Sequence, residues 1–469
     1  MSNGSGLTSV NSVVVLMLEN RSFDHMLGYL YPGNVSPSGQ PFEGLAGTES
    51  NPGSDGTPVT VFGIEPTTPN AYFMPGADPG EGYMATNDQL YGSNDGPASS
   101  GLAAPGQGFV TNYAYSLKWE TNEKWSIETG TVAGDIMGCF TPATLPVLSA
   151  LATGYAVCDQ WFASVPTETL PNRAFACAAT SQGHMDDKTH TFSSPTIFGL
   201  LDAASLGWSV YGYKDEPLTK KTFTQIAAAD ASHFGKFTDF QAAAAAGTLP
   251  PYTFLEPSWG SAGNSQHPPY DVALGEQFIH DVYEALRAGP GWPGTLLVIT
   301  YDEHGGCFDH VPPPWGAVPP DSDAGEFSFG FDRFGVRVPT VLVSPLIAPA
   351  TVYRVPAGGT PLDHTSILKT VEQRWNLPTL TARDAAAPAF GDVLTLTTPR
   401  TDDVLASVTV PVSTGTNPAA GTVSHLQAVQ SELISRGFAA GVTPASTPES
   451  PAASAGGSPA GSSAAPPPA

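Results

Sequence analysis

The sequence predicts an α/β fold: an open, mostly parallel sheet with helices over both faces. Three observations predict it. Two runs, VVVLML at 13–18 and TLLVITY at 295–301, are continuous and apolar, as strands buried on both faces must be. Strand-like runs alternate with stretches of helical spacing along the chain. Glycine and proline number 50 and 46, which favours short elements and many turns over long helical bundles.

The elements follow in order. Residues 1–12 read as a flexible stub and 13–18 as the first strand. Residues 32–110 are dense in Gly, Pro, Ser and Asn. That is too long for a plain connection, so an irregular excursion that shapes a site is expected there. Pro142 fits the first turn of a helix through ALPVLSALA, and 156–165 reads as another strand. Residues 196–213 predict a helix and then a strand, WSVYGY. Residues 272–288 have helical spacing, with Leu274, Phe278, Val282 and Leu286 on one face, and Gly289-Pro290 stops them. Strands are expected at 295–301 and 338–343, and amphipathic helices at 364–375 and 422–436. From 441 the chain is a low-complexity tail of Pro, Ala, Ser and Gly, which predicts disorder over 441–469. One folded domain over 13–440 is therefore expected.

Charge narrows the function. The 469 residues include 18 Lys or Arg and 43 Asp or Glu, for a net charge of −25. Little cationic surface is left to displace phosphate counterions, which argues against nucleic-acid partners. Anionic lipid surfaces should repel the chain. Zwitterionic lipids and small soluble substrates stay open. No apolar run reaches the ~18–20 residues that cross a bilayer. The opening MSNGSGLTSVNS has no basic patch followed by an apolar stretch, so no secretory leader is legible. Cys139, Cys158, Cys177 and Cys307 form no zinc-like pairs and read as buried free thiols. One disulfide among them would instead indicate an oxidising compartment.

Polar residues follow the two best strands directly. VVVLML runs into Glu19-Asn20, and TLLVITY into Asp302-Glu303. Open parallel sheets place their ligands at such carboxyl ends. Three carboxylates and an amide oxygen gathered there would call for a cation: Ca²⁺, Mg²⁺ or Mn²⁺, or Zn²⁺ or Fe if histidine joined. Alternatively, each acid caps a following helix or pairs locally, for example with Arg21. Thr169, in SVPTETLPNR, follows a strand-like run and precedes a small-residue helix. It could act as a nucleophile if activated, or merely as an N-cap with Pro171 in the first turn. His267, in a polar Pro-rich loop, and His304, beside Gly305-Gly306, are candidate proton donors.

These residues carry a resemblance. Residues 19–25, ENRSFDH, match a signature of the bacterial and plant phospholipase C / acid phosphatase family. Residues 169–173, TLPNR, match its TxPNR motif. DEHGGCFDHVPPP at 302–314 matches DExxGxxDHVxxP, and GVRVP at 335–339, ending at Pro345, matches GxRVPxxxxxP. The four motifs stand in family order. The resemblance implies an alkaline-phosphatase-like α/β/α sandwich. It implies one divalent ion, of uncertain identity, held by Glu19, Asn20, Asp302 and Glu303, with the Thr169 hydroxyl completing the set. Thr169 would attack phosphorus to form a covalent phosphothreonine, which water then hydrolyses. Asn172 would donate to a phosphoryl oxygen. His267, and secondarily His304, would protonate the leaving oxygen. Arg173, Asp24, His25, Asp309 and His310 would orient the ligands.

The implied reaction is phospholipase C cleavage of the glycerol-side phosphodiester bond of a phospholipid, with at most transient contact with zwitterionic lipid surfaces. A phosphomonoesterase of the acid phosphatase type is the alternative with the same nucleophile and metal. A binding protein that kept the fold without turnover is a third reading. The family also implies secretion or a periplasmic location. One departure stands out: where many members carry DPxH, this chain has Asp78-Pro79-Gly80-Glu81. Glu81 cannot supply the positive charge of a protonated histidine. It would bind a cationic headgroup or face solvent.

Overall fold

The two long apolar runs lie side by side at the centre of an eight-stranded sheet. The computed structural model describes residues 6–97, 99–123, 127–413 and 415–435. The expected tail at 441–469 and the first five residues of the stub lie outside them. The strands are β1 (Ser12–Leu18), β2 (Ala156–Val157), β3 (Trp208–Gly212), β4 (Phe234–Lys236), β5 (Tyr252–Glu256), β6 (Thr295–Tyr301), β7 (Thr340–Val343) and β8 (Thr351–Val352). Their order is β8-β2-β7-β6-β1-β5-β3-β4. Only β7 runs against the others. Every residue of β1 and β6 is buried, so both faces of the sheet are covered.

The helices of nine or more residues are α1 (Tyr83–Tyr91), α2 (Phe109–Glu123), α3 (Pro146–Gly154), α4 (Thr169–Ala178), α5 (Phe237–Ala246), α6 (Val272–Ala288), α7 (Thr365–Trp375) and α8 (His425–Ser435). Helices α3, α5 and α6 pack together, and α4 packs on α7. The expected mostly parallel, three-layer α/β/α class is what the chain adopts. Every residue of α4 is buried. Its second half, AFACA, is mostly small residues, which allow close approach there.

Several expectations need correction. Residues 156–165 are not one strand. They split into β2 and a short piece, Trp161–Phe162, that pairs outside the main sheet. Asp159 causes the break: its carboxylate takes Arg354 Nε at 2.7 Å and Glu43 N–H at 2.7 Å, which turns the chain out of the ladder. Helix α3 starts at Pro146, not near Pro142. Its free N–H groups at Val147 and Leu148 are capped by the Glu276 carboxylate of α6, at 2.6 and 3.0 Å. On α6, Leu274 is exposed, while Val272, Gly275, Phe278, Ile279 and Val282 are buried. The apolar stripe is thus rotated from the expected one. The 32–110 excursion is more ordered than expected. It contains α1, a small hairpin (Ser50–Pro52 with Pro58–Thr60), and a strand, Phe62–Ile64, that pairs with Gly138–Phe140. Leu45, Leu90, Phe109, Tyr113, Met137 and Phe308 build an apolar cluster of its own beneath it. The four cysteines are buried and unpaired, as expected.

Candidate active site

Strand register brings the acids together. Leu18 pairs with Tyr301, so Glu19-Asn20 and Asp302-Glu303 leave adjacent parallel strands side by side. Asn20 adopts the left-handed conformation (φ 57°), and its N–H donates to Asp302 Oδ1 at 3.0 Å. The chain then doubles back through Gly305 and Gly306, both at positive φ. A Cβ on Gly305 would stand 2.0 Å from the Asn20 carbonyl oxygen, so only glycine permits this approach.

One arginine meets this cluster. Arg173, from α4, donates from Nε to Asp302 Oδ2 at 2.9 Å and from Nη2 to the Met17 and Leu18 carbonyls at 3.1 and 3.0 Å. Its guanidinium lies 4.5 Å from the Trp259 ring. Arg21, the expected local partner, instead donates to the carbonyls of Gln266 and Met74 and contacts His25. Burial, with Asp302 adding, pushes the Glu19 carboxyl up to about 8. Burial and Asp302 also hold Glu303 well above the usual carboxylate range. Glu19 Oε2 and Glu303 Oε1 are buried without a hydrogen-bond partner. Unpaired buried carboxyl oxygens are costly, and hard oxygen donors of this kind fit a divalent cation. The donor chemistry therefore suits such an ion, while the carboxyl oxygens of Glu19, Asp302 and Glu303 do not all lie within 4.8 Å of one another and Asp302 already accepts from Arg173 and from the N–H groups of Asn20 and Glu303.

Thr169 is the first residue of α4, with Glu168 at the cap position. Its hydroxyl does not cap the helix. It donates to Asn20 Oδ1 at 3.2 Å, which ties the helix start to the acid cluster. Asp187 does the capping: its Oδ1 accepts the Leu170 N–H at 2.6 Å, and its own N–H donates to Glu168 Oε2 at 2.5 Å. Thr169, Glu19, Glu81, Asp187 and His267 line a pocket of 10 Å³, room for about one water-sized atom. It adjoins a groove of 1140 Å³ that shares Glu81, Asp187 and His267. Met84, Tyr115, Trp119 and Val423 give that groove an exposed apolar rim.

The remaining predicted residues sort by position. His267 borders both openings. Its Nδ1 lies 2.5 Å from the Pro268 carbonyl, which can only accept, so Nδ1 carries the proton and Nε2 a lone pair. Burial pushes the ring down to about 4, so it is neutral at pH 7. That state differs from the protonated donor expected from sequence. Glu81 lies inside the site, on the wall that the small pocket shares with the groove: it accepts from Asn20 Nδ2 and stands 3.8 Å from His267 Nε2. Burial, then Asp78 and Glu303, holds its carboxyl well above the usual range. Asp78, Glu81 and His267 offer three ligand atoms within 4.8 Å of one another.

Two expected roles are not met. His304 is buried, with Nε2 2.8 Å from Gln89 Oε1 and Nδ1 3.3 Å from Glu303, and it borders neither opening. The double-glycine turn folds it inward, where it braces Glu303. Asn172 likewise faces the backbone. Its Nδ2 donates to the carbonyls of Val165, Thr167 and Glu168, and its Oδ1 accepts from Val165 N–H. It shapes the turn that presents Thr169. Asp24 and Asp309 form a buried cluster with Arg337, whose Nη2 and Nε reach them at 2.8 and 2.9 Å, and the half-buried His310 joins through Asp24. Sequence reading missed Asp187 and the C-terminal Ser424-His425, which also line the small pocket. None of them lies in a motif.

Comparisons with known proteins fit this arrangement. The model of the "Phosphoesterase family" matches residues 10–378. Non-specific phospholipase C1 of Arabidopsis thaliana is 39% identical over 408 residues, which span 81% of this chain and 70% of that protein. Non-specific phospholipase C6 of the same plant is 38% identical, over 84% of this chain and 74% of its own. Phospholipase C B of Mycobacterium tuberculosis is 28% identical, over 81% and 76%. Among solved structures, an alkaline phosphatase superfamily protein of Vibrio parahaemolyticus aligns over 53% of this chain and 65% of its own. The TM-score is 0.34 and the identity 10%, too slight to carry an argument.

Proposed function

The chain belongs to the phosphoesterase family and is a phosphoric ester hydrolase, and we propose that it is a phospholipase C with Thr169 as nucleophile. The observation that carries this reading is the Thr169 hydroxyl. It is held against Asn20 at 3.2 Å, in the same pocket as Glu19 and beside a groove whose 1140 Å³ has room for a lipid headgroup and glycerol. The apolar rim of that groove favours a lipid diester over a small monoester.

In the proposed reaction Thr169 Oγ1 attacks phosphorus, and the bond to the glycerol oxygen breaks. Diacylglycerol leaves, and a threonine ester of the phosphoryl headgroup remains until water hydrolyses it. Asn20 orients the hydroxyl. Asp187 and Asn172 fix the turn that presents it. His267 Nε2 takes the Thr169 hydroxyl proton as the bond to phosphorus forms, and the Glu81 carboxyl gives its proton to the leaving glycerol oxygen; in the second step the Glu81 carboxylate takes a proton from the attacking water and the imidazolium returns one to Thr169 Oγ1. Glu19, Asn20, Asp302 and Glu303 would hold a divalent ion. When bound, it would lower the pKa of the Thr169 hydroxyl and neutralise charge on the phosphoryl oxygens.

The test compares para-nitrophenyl phosphorylcholine with para-nitrophenyl phosphate, for the native enzyme and for Thr169→Val. Diester turnover that falls about 10⁴-fold or more in the variant, with an unchanged fold, is expected for loss of a nucleophile. Turnover of the monoester alone would move the assignment to a phosphatase. A variant within about tenfold of native activity, about 1.4 kcal/mol in the barrier, would remove Thr169 from the chemistry.

A further inference from the structure

A second cluster of ligating groups lies apart from the acid site and borders neither opening. His184, His190 and Glu326 each present one ligand atom, all within 4.8 Å of one another. They come from two loops, 181–190 and 325–329, that are far apart in sequence. Backbone bonds hold those loops together: Glu326 N–H donates to the Gly183 carbonyl at 2.8 Å, and Met185 N–H donates to Glu326 Oε2 at 2.7 Å. The second bond fixes the carboxylate and leaves Oε1 facing His184 Nδ1 at 3.3 Å. The two imidazoles stack with centroids 3.6 Å apart and planes at 17°. Two protonated rings so close would repel, whereas two neutral rings offer two lone pairs.

Asp186 Oδ1 lies 2.8 Å from His190 Nε2. A carboxylate on one ring nitrogen is the usual outer partner of a metal-bound histidine, and it leaves the other nitrogen to ligate. The side chains of His184 and Glu326 are 32% and 37% exposed, so an ion has a way in. We propose that His184, His190 and Glu326 form a second, non-catalytic site for a borderline divalent transition-metal ion of the zinc class.

The chemistry sets this site apart from the first. Two imidazoles and one carboxylate suit zinc, nickel or cobalt, and suit calcium or magnesium poorly. The Glu19 site offers oxygen donors only. Ligand atoms around tetrahedral zinc stand about 3.3 Å apart, given bonds of about 2.0–2.1 Å, so binding requires the two stacked rings to rotate out of their parallel arrangement until their lone pairs converge. The consequence reaches the catalytic helix. The loop that carries His184 and His190 also carries Asp187, which holds the Leu170 N–H beside Thr169. An ion clamped at 184, 190 and 326 therefore braces the start of α4.

The experiment uses the full chain without an affinity tag, stripped with chelator. Zinc, and separately magnesium, is titrated by calorimetry into native protein, His190→Ala, Glu326→Gln and Glu19→Gln. Hydrogen exchange at Leu170 is followed with and without zinc. The expected result is one zinc equivalent that magnesium does not displace. It persists in Glu19→Gln and is weakened about a hundredfold or more in both cluster variants, since even outer-partner losses reach that size. Zinc is also expected to slow exchange at Leu170 in Glu19→Gln. If His190→Ala fails to fold, Glu326→Gln, which keeps the shape of the side chain, decides alone. Equal zinc affinity in native protein and the folded cluster variants would overturn the proposal. So would displacement by magnesium, or exchange at Leu170 that zinc leaves unchanged.

Discussion

Replacing Arg173 with Met should cost the protein a measurable part of its stability, and the size follows from what the side chain touches. Arg173 pairs with Asp302 at 2.9 Å, with side-chain exposures of 5% and 0%. It also donates to the carbonyls of Met17 and Leu18, so it ties α4 to the end of β1. Methionine keeps most of the stem packing against Trp259 and loses all three bonds. Removing one member of a buried pair leaves the other charge uncompensated, at about 3–5 kcal/mol. Unfolding entropy near 2.1 cal/mol/K per residue gives roughly 1 kcal/mol/K for a cooperative chain of this length, so the melting temperature should fall about 3–5 °C. Arg173 also pulls the Glu19 carboxyl down, so that group should rise further in the variant. Arg173→Lys keeps the charge without the planar fork and should recover only part of the loss. Differential scanning fluorimetry of the ion-free protein measures this. A melting temperature within roughly 1 °C of native for Arg173→Met would refute the buried-pair argument.

Ion uptake should depend on pH. In the ion-free state Glu19 holds its proton up to about pH 8, so binding must displace it. Affinity should rise at least about tenfold per unit between pH 6 and pH 8, since Glu303 is held up as well, and calorimetry at both ends would detect it; a flat profile would contradict the burial argument. Glu372 supplies a separate titration. Burial, then the neighbouring Asp384 carboxyl, pushes it from an ordinary 4.5 up to about 9. A folded value above the unfolded one means that the stability it contributes is complete below pH 4.5 and is lost as pH rises through about 9. Glu372→Gln should therefore gain stability over native protein as pH goes from 5 to 9. Parallel melting curves for the two proteins would show that Glu372 is not protonated in the fold.

The sequence made the centre of the fold legible because its strands are buried on both faces. Continuous apolar runs that end in acids locate Glu19 and Asp302 without tertiary information. Their adjacency needed only the rule that parallel strands place polar groups at their carboxyl ends. What stayed hidden depends on distant partners. Asp159 breaks a strand-like run because Glu43 and Arg354 claim its carboxylate. Pro146 starts α3 because Glu276 arrives from another helix to cap it. Motif membership marked Asn172 and His304 as important and did not say where they point. Asn172 turned out to shape a loop, and His304 to brace Glu303. Glu81 was visible as a departure from a pattern, while its contact with Asn20 required the folded loop. Asp187 carried no local signal, because its bonds to the Leu170 N–H and to Glu168 form only once the loop folds back on α4.

Attack of Thr169 Oγ1 on phosphorus, beside the pocket that Glu19 lines, is tested most directly by a covalent trap. Enzyme mixed with para-nitrophenyl phosphorylcholine and quenched in acid within one turnover is digested, and its peptides are weighed. The account predicts the mass of a phosphorylcholine group on the peptide containing Thr169, fragmentation that places it on that residue, and no such mass in Thr169→Val. Active enzyme whose Thr169 peptide stays unmodified at every quench time, or an adduct on another residue, would contradict it.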